Sequence, residues 1–315
     1  MKVGGRRNFG YGKRLAWAGA NALRDRYGDG CYGSRAAHEA RWRQFAAYAK
    51  SRGVNDAREV TRELVEEYGR RLSAKVGAGE LSVRYTQNLL STVNTVLETM
   101  RGDRCLRVSP AALVGKRNNV RTRAPAGLDR SAVHRAVQQL EGEGESQVGL
   151  VAALAHDFGL RFREASLLDA RRALREAMDR GAVNVAAGTK GGRGKEVDRW
   201  VPVSEQGMRT LQQAAANQGN APNLVPGNRD YRQWRDHAYH VWQRVSSTHS
   251  LRGFHDLRAA YACERYLEIT GCAAPAVAGY RAASKADDLT ARRVIAQELG
   301  HGRTDVVAAY VGSAR

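Results

Sequence analysis

Run after run, the apolar residues of this chain fall at the three- and four-residue intervals of a helix, and one stretch carries the signature of strands instead. In TRELVEEYGRRLSAK (61–75), Leu64, Tyr68 and Leu72 stand at i, i+4 and i+8. In LSVRYTQNLLSTVNTVLETMRG (81–102), Leu89, Val93, Val96 and Met100 share one face, and Gly102 closes the run. SRAAHEARWRQFAAYAKSRG (34–53) offers Ser34 as an N-cap, Trp42 and Phe45 as core residues, and Gly53 as a stop. The exception is GAVNVAAGTKGGRGKEVDRWVPVS (181–204), where two β-capable runs flank a Gly-rich turn and predict a hairpin. Helical patterns precede it at 129–141 and 146–158, and resume at 205–216, 230–247, 256–270, 285–298 and 304–311. Proline, the strongest helix breaker, occurs only six times. The expected fold class is therefore mainly α (α+β): an N-terminal helical bundle, then a mostly helical domain carrying one small antiparallel hairpin.

Residues 1–14 (MKVGGRRNFGYGKR) are Gly-rich and basic, and read as a flexible arm. Between 103 and 128 the periodicity collapses into a stretch with two prolines, two glycines and a cluster of cations, which reads as an exposed basic linker. The expected division is a first domain over 1–126, linker included, and a second over 127–315. Charge is distributed in the same sense. The chain carries 51 Lys and Arg against 32 Asp and Glu, a formal +19, and residues 1–126 hold 25 basic against 11 acidic groups, or +14 of it. Such a balance points to a polyanionic partner, of which nucleic acid is the commonest. Lys116, within the linker, is a candidate DNA contact. The four cysteines are scattered with no CxxC pair, no apolar run approaches a membrane span, and no leader pattern opens the chain. A cytoplasmic, nucleoid-associated protein without membrane contact is expected.

Four stretches of the second domain carry reactive side chains: HDFGLRFREASLL (156–168), GTKGGRGK (188–195), FHDLRAAYA (254–262) and LGHGRTDVVAAY (299–310). They supply Arg161, Glu164, Lys190, His255, Arg258, His301 and Tyr310. Singly, each has an ordinary reading: a solvated cation, a locally bonded imidazole, a tyrosine packed beside Val306 and Val307. Taken together they hold several cations, two imidazoles and a phenol. No carboxylate cluster suited to Mg²⁺ and no GxxxxGK[ST] loop accompanies them, so no cofactor is expected. Phosphoryl transfer without a metal fits such a set: arginines clamp a phosphate, an acid–base pair moves protons, and a side-chain oxygen attacks.

In their order along the chain these stretches resemble the tyrosine recombinases, or phage-type integrases. GLRFRE gives the family's arginine and acidic partner, TKGGRGKEVDRWVPV its hairpin lysine, HDLRAAYA its His-x-Leu-Arg, and LGHGRTDVVAAY its histidine and terminal tyrosine. The resemblance implies that Tyr310 attacks a DNA phosphodiester to give a 3′-phosphotyrosyl link. It implies that Arg161 and Arg258 hold the non-bridging oxygens and Lys190 protonates the leaving 5′ oxygen. His255 and His301 would bond the phosphate and assist proton transfer, and Glu164 would brace the site. It also implies duplex DNA as partner, a homotetramer on that DNA, a directionality factor, and integration or excision of a mobile element. Several alternatives stay open: Lys195 for Lys190, Arg163 for Arg161, and the second His-x-Leu-Arg, His249 to Arg252, for the first. Relative to the family pattern, roughly twenty residues around GCAAPAVAGYRAASKADD form an insertion, expected as a surface loop and helix. A type IB-like topoisomerase and an inactive DNA-binding accessory protein are the competing functions.

Overall fold

The computed structural model describes residues 5–28, 31–190, 194 and 196–314. It divides into two compact units, one up to Asn118 and one from Asn119 onward.

In the first unit the helices are α1 (Leu15–Tyr27), α2 (Tyr32–Ser51), α3 (Arg62–Gly77), α4 (Val83–Arg101) and the short α5 (Pro110–Val114). The caps follow from the sequence. Thr61 and Ser82 accept from the backbone N–H three residues on, and Gly102 ends α4 in the left-handed conformation. Trp42, Phe45, Tyr68, Leu89, Leu90 and Val93 form the core. Where α1 crosses α2, Gly19 faces Trp42, and a Cβ there would lie 1.9 Å from the indole nitrogen. That contact admits only glycine, and it lets Trp42 Nε1 donate to the Leu15 carbonyl at 3.0 Å.

Two expectations are corrected here. The arm is ordered from Gly5: Asn8 is fully buried, its N–H donates to Asp56 Oδ1 at 2.9 Å, and its Oδ1 accepts from Ala57 N at 2.7 Å. The linker is not wholly exposed either, since Val108, just before α5, and Val114, its last residue, join the core. Pro110 at the first turn, behind the Ser109 cap, explains why a helix forms in a proline-containing stretch.

The second unit begins eight residues before the expected boundary. Residues 119–126 belong with it because Arg121 pairs with Asp256 and its N–H donates to the Ala308 carbonyl. Its helices are α6 (Arg130–Gly142), α7 (Ser146–Asp157), α8 (Phe162–Ser166) and α9 (Ala170–Arg180). Strands β1 (Ala182–Asn184) and β2 (Trp200–Pro202) follow, then α10 (Glu205–Gln218), α11 (Tyr231–Thr248) and α12 (Phe254–Thr270). Last come α13 (Pro275–Ala278), α14 (Lys285–Glu298) and α15 (Ala308–Val311). α7 is apolar on nearly every side and forms the centre, packed against α6, α10 and α12. The hairpin is antiparallel, with Val183 opposite Val201, and its strands are three residues each, shorter than the sequence runs. The inserted stretch is more than a surface excursion. Pro275 and Ala276 are buried in α13, and Asp288 of α14 accepts from Tyr266 Oη at 2.8 Å. No helix among the described residues is long and apolar enough to cross a membrane.

Candidate active site

After α7 the chain must reverse, and it does so through Gly159 at φ +60. A Cβ there would meet the Tyr261 ring at 2.5 Å and Leu299 at 2.8 Å, so the glycine of GLRFRE is required by both conformation and space. The reversal directs the Gly159 carbonyl at Arg258 and leads Arg161 into α8. The Arg161 N–H donates to Glu164 Oε2 at 2.8 Å and its guanidinium to Oε1. Glu164 is wholly buried and receives two further guanidiniums, Arg199 at 2.9 Å and Arg258 at 3.5 Å. Burial alone would raise its carboxyl, but Arg199, Arg258 and Arg161 outweigh that and hold it below the usual range. One carboxylate thus ties three cations into a fixed array.

α12 starts at Phe254, behind the N-cap Gly253, and places His255 and Arg258 one turn apart. Arg258 is fully buried. It donates through Nη1 to the Gly159 carbonyl, through Nη2 to the Leu299 carbonyl at 2.6 Å, and through Nε to the Tyr310 hydroxyl at 3.3 Å. Burial lowers its pKa to about 10, which leaves it charged at neutral pH.

α14 ends in a left-handed turn at Gly300, φ +64, and delivers His301. Its Nε2 lies 3.2 Å from the Tyr310 hydroxyl and 3.4 Å from Arg258 Nη2. Burial first, then Arg258, Arg161 and Arg199, lower the His301 pKa to about 4. A neutral ring whose Nε2 lone pair faces an O–H and an N–H accounts for that geometry. His255 is lowered too, by burial and then by Arg258 and Arg121, and its ring stands 5.2 Å from that of Tyr310. Tyr310 itself is 4% exposed, its ring 5.4 Å from the Arg258 guanidinium. Its helix is pinned from several sides. Arg121 N donates to Ala308 O at 2.9 Å, and the Cys263 thiol reaches the Tyr310 carbonyl. Arg292, held by Asp288, donates to the carbonyls of Gly312 and Ser313. The inserted segment therefore helps seat the residues that follow Tyr310.

Beside this array opens a cleft of about 130 Å³, lined among others by Arg161, Glu164, Lys190, Arg199 and His301. Lys190 is exposed at its wall, in the turn between the strands. Of the sequence-derived candidates, direct contacts or close rings join Arg161, Glu164, His255, Arg258, His301 and Tyr310, and the cleft adds Lys190. The rivals lie elsewhere. Arg163 stacks over Tyr231, His249 bonds Gln139, and the Arg252 carbonyl accepts from Trp242. Lys195 falls outside the described residues. Lys116 is exposed in the first unit. The sequence reading missed Arg199. Its signal was strand alternation: in VDRWVPV, Arg199 shares the inward register with Val201, a place where a charge needs a partner.

The family model for integrases matches residues 117–264, which span most of these motifs. No curated protein sequence matches the chain. Among solved structures, the Tn1549 transposon integrase in complex with circular intermediate DNA is similar at TM-score 0.59 and 11% identity, over 96% of each chain. A lambda integrase dimer bound to a COC′ core site is similar at TM-score 0.55 and 15% identity, over 93% of this chain and 77% of that one. A lambda integrase tetramer bound to a Holliday junction gives TM-score 0.55 at 15% identity, over 93% and 75%. At such identities the likeness is one of fold. Over residues 117–264 the chain is thus similar in sequence to the integrases, and its fold is similar to that of the transposon and lambda integrases.

Proposed function

We propose that this chain is a site-specific DNA recombinase that cuts and rejoins duplex DNA through a covalent 3′-phosphotyrosyl link on Tyr310. One observation carries the reading: the Tyr310 hydroxyl sits within hydrogen-bond reach of both Arg258 Nε and His301 Nε2, beside a cleft walled by Arg161 and Lys190. A phosphodiester entering that cleft meets Arg161 first, because Arg258 lies beneath the tyrosine ring. As the Tyr310 oxygen bonds to phosphorus, its proton passes to neutral His301 Nε2 and the P–O5′ bond breaks. Lys190 gives a proton to the departing 5′ oxygen. Arg161 and Arg258 offset the charge gathering on the non-bridging oxygens, and His255 donates a hydrogen bond to them. Glu164 keeps the arginines in place without taking part. Attack of a 5′ hydroxyl on the phosphotyrosine reverses these steps and reseals the strand, so bond energy is conserved and neither ATP nor a metal enters the cycle.

Integration or excision of a mobile element by a homotetramer is the role proposed for this chemistry. The similar structures hold a transposon integrase on circular intermediate DNA and a lambda integrase tetramer on a Holliday junction, which supports that choice. The test is a plasmid carrying two copies of the DNA flanking the gene. Deletion or inversion between the copies is expected. Relaxation of supercoils on any plasmid, with no rearranged product, would instead establish a topoisomerase.

A further inference from the structure

Arg199 is the one strongly buried cation of the cleft without a role in the steps above. It is 6% exposed, and it is costly to bury: neither terminal nitrogen completes a hydrogen bond, although Nη1 sits 2.9 Å from Glu164 as an ion pair. A buried guanidinium so poorly satisfied does little for stability, and each unpaired nitrogen asks for another explanation. Its other contacts supply one. Nε donates to the Glu298 carbonyl at 2.7 Å, one residue before the Leu299 carbonyl that receives Arg258. Its backbone N–H donates to Asn184 Oδ1 at 3.0 Å, and its carbonyl accepts from Val185 N at 2.9 Å. Arg199 therefore grips three things at once: the base of the hairpin whose turn carries Lys190, the carboxylate that aligns Arg161 and Arg258, and the end of α14 just before His301.

We propose that Arg199 is a positioning residue that registers the Lys190 hairpin against the arginine clamp, so that the leaving-group proton arrives at the phosphate the clamp holds. This rests on the recombinase reading above. Two strands of three residues cannot by themselves fix a turn of some fifteen residues. The only side chain of that hairpin that reaches the Glu164 carboxylate among the described residues is Arg199. Removing it leaves the clamp its own carbonyl and carboxylate bonds but frees the lysine from its register.

The test separates proton donation from everything else. Covalent adduct is measured on two nicked duplexes of the chain's own cleavage site, mapped first by sequencing genomic fragments that the wild-type chain marks. They differ only at the scissile 5′ position, oxygen in one and sulfur in the other. A 5′ thiolate leaves without needing a proton, so the sulfur duplex bypasses the general acid. Arg199→Met should slow adduct formation about 100-fold on the oxygen duplex and less than about threefold on the sulfur duplex, a pattern Lys190→Met should share. Equal losses on both duplexes overturn the proposal in favour of a clamp or folding role, and no loss on either overturns it as well. If Arg199→Met fails to fold by circular dichroism, Arg199→Lys carries the same comparison, since it keeps a charge near Glu164 but loses the forked guanidinium. A wild-type chain that marks neither duplex removes the recombinase reading and this inference with it. Wild-type adduct on both, with undiscriminating loss in the variants, removes the inference alone.

Discussion

At the scale of single residues, the site is governed by an imbalance: Arg161, Arg199 and Arg258 converge on one buried carboxylate, Glu164. Glu164→Gln leaves those cations facing a neutral amide and should cost about 3–5 kcal/mol, the expected result of breaking a buried ion pair from one side. Urea unfolding of the two proteins checks this, and a loss below about 1 kcal/mol would contradict it. Burial, and after it the same cations, explain His301. Its pKa of about 4 in the folded chain lies under the unfolded value near 6.5. The unfolded imidazole therefore binds a proton first, so this group's contribution to stability is intact above about 6.5 and declines as pH falls toward 4. NMR titration of the free protein should find the His301 ring still neutral at pH 5.5. A midpoint near 6.5 would mean that neither burial nor the arginines act on it, and would weaken its proposed part as proton acceptor.

Elements were legible where a local rule decides them and obscure where packing does. Thr61 and Gly102 mark their helix ends in the sequence and in the structure alike, whereas Ser34, expected as an N-cap, lies inside α2, which starts at Tyr32. Helix α1 and the ordered arm were not read, because Asn8 is fixed by Asp56 and Ala57, partners about fifty residues away that no local pattern reveals. The hairpin was visible as two β-capable runs, yet only three residues of each pair, and the anchoring function of Arg199 depends on Glu298, ninety-nine residues on. Most of the candidate site residues were legible because their order resembles that of a known family; their mutual contacts were not, since Arg258 reaches Gly159, Leu299 and Tyr310 only through the fold. Gly19 shows how packing can reverse a local rule. Alanine in the middle of a helix ordinarily gains about 0.5–1 kcal/mol over glycine. Here the added Cβ would strike Trp42, and Gly19→Ala should instead destabilise the chain by about 1–3 kcal/mol. Calorimetry that finds a stabilised protein would show that α1 and α2 do not cross as closely as described.

For the molecule as a whole, the excess of positive charge sets how it should meet DNA. With +14 of the formal +19 held in residues 1–126, affinity should depend steeply on salt. If six or more phosphates are contacted, raising salt from about 50 to about 200 mM should weaken binding by about 1,000-fold. A nearly flat salt dependence in a filter-binding or fluorescence titration would contradict a phosphate-dominated interface. Charge, however, serves binding alone, whereas the account turns on a covalent bond. The most direct test mixes the purified chain with nicked genomic fragments, denatures the mixture, and looks for DNA that stays attached to protein. The account predicts an adduct whose linkage maps by mass spectrometry to Tyr310 and which Tyr310→Phe does not form. An adduct that survives Tyr310→Phe, or that maps to another residue, would contradict it.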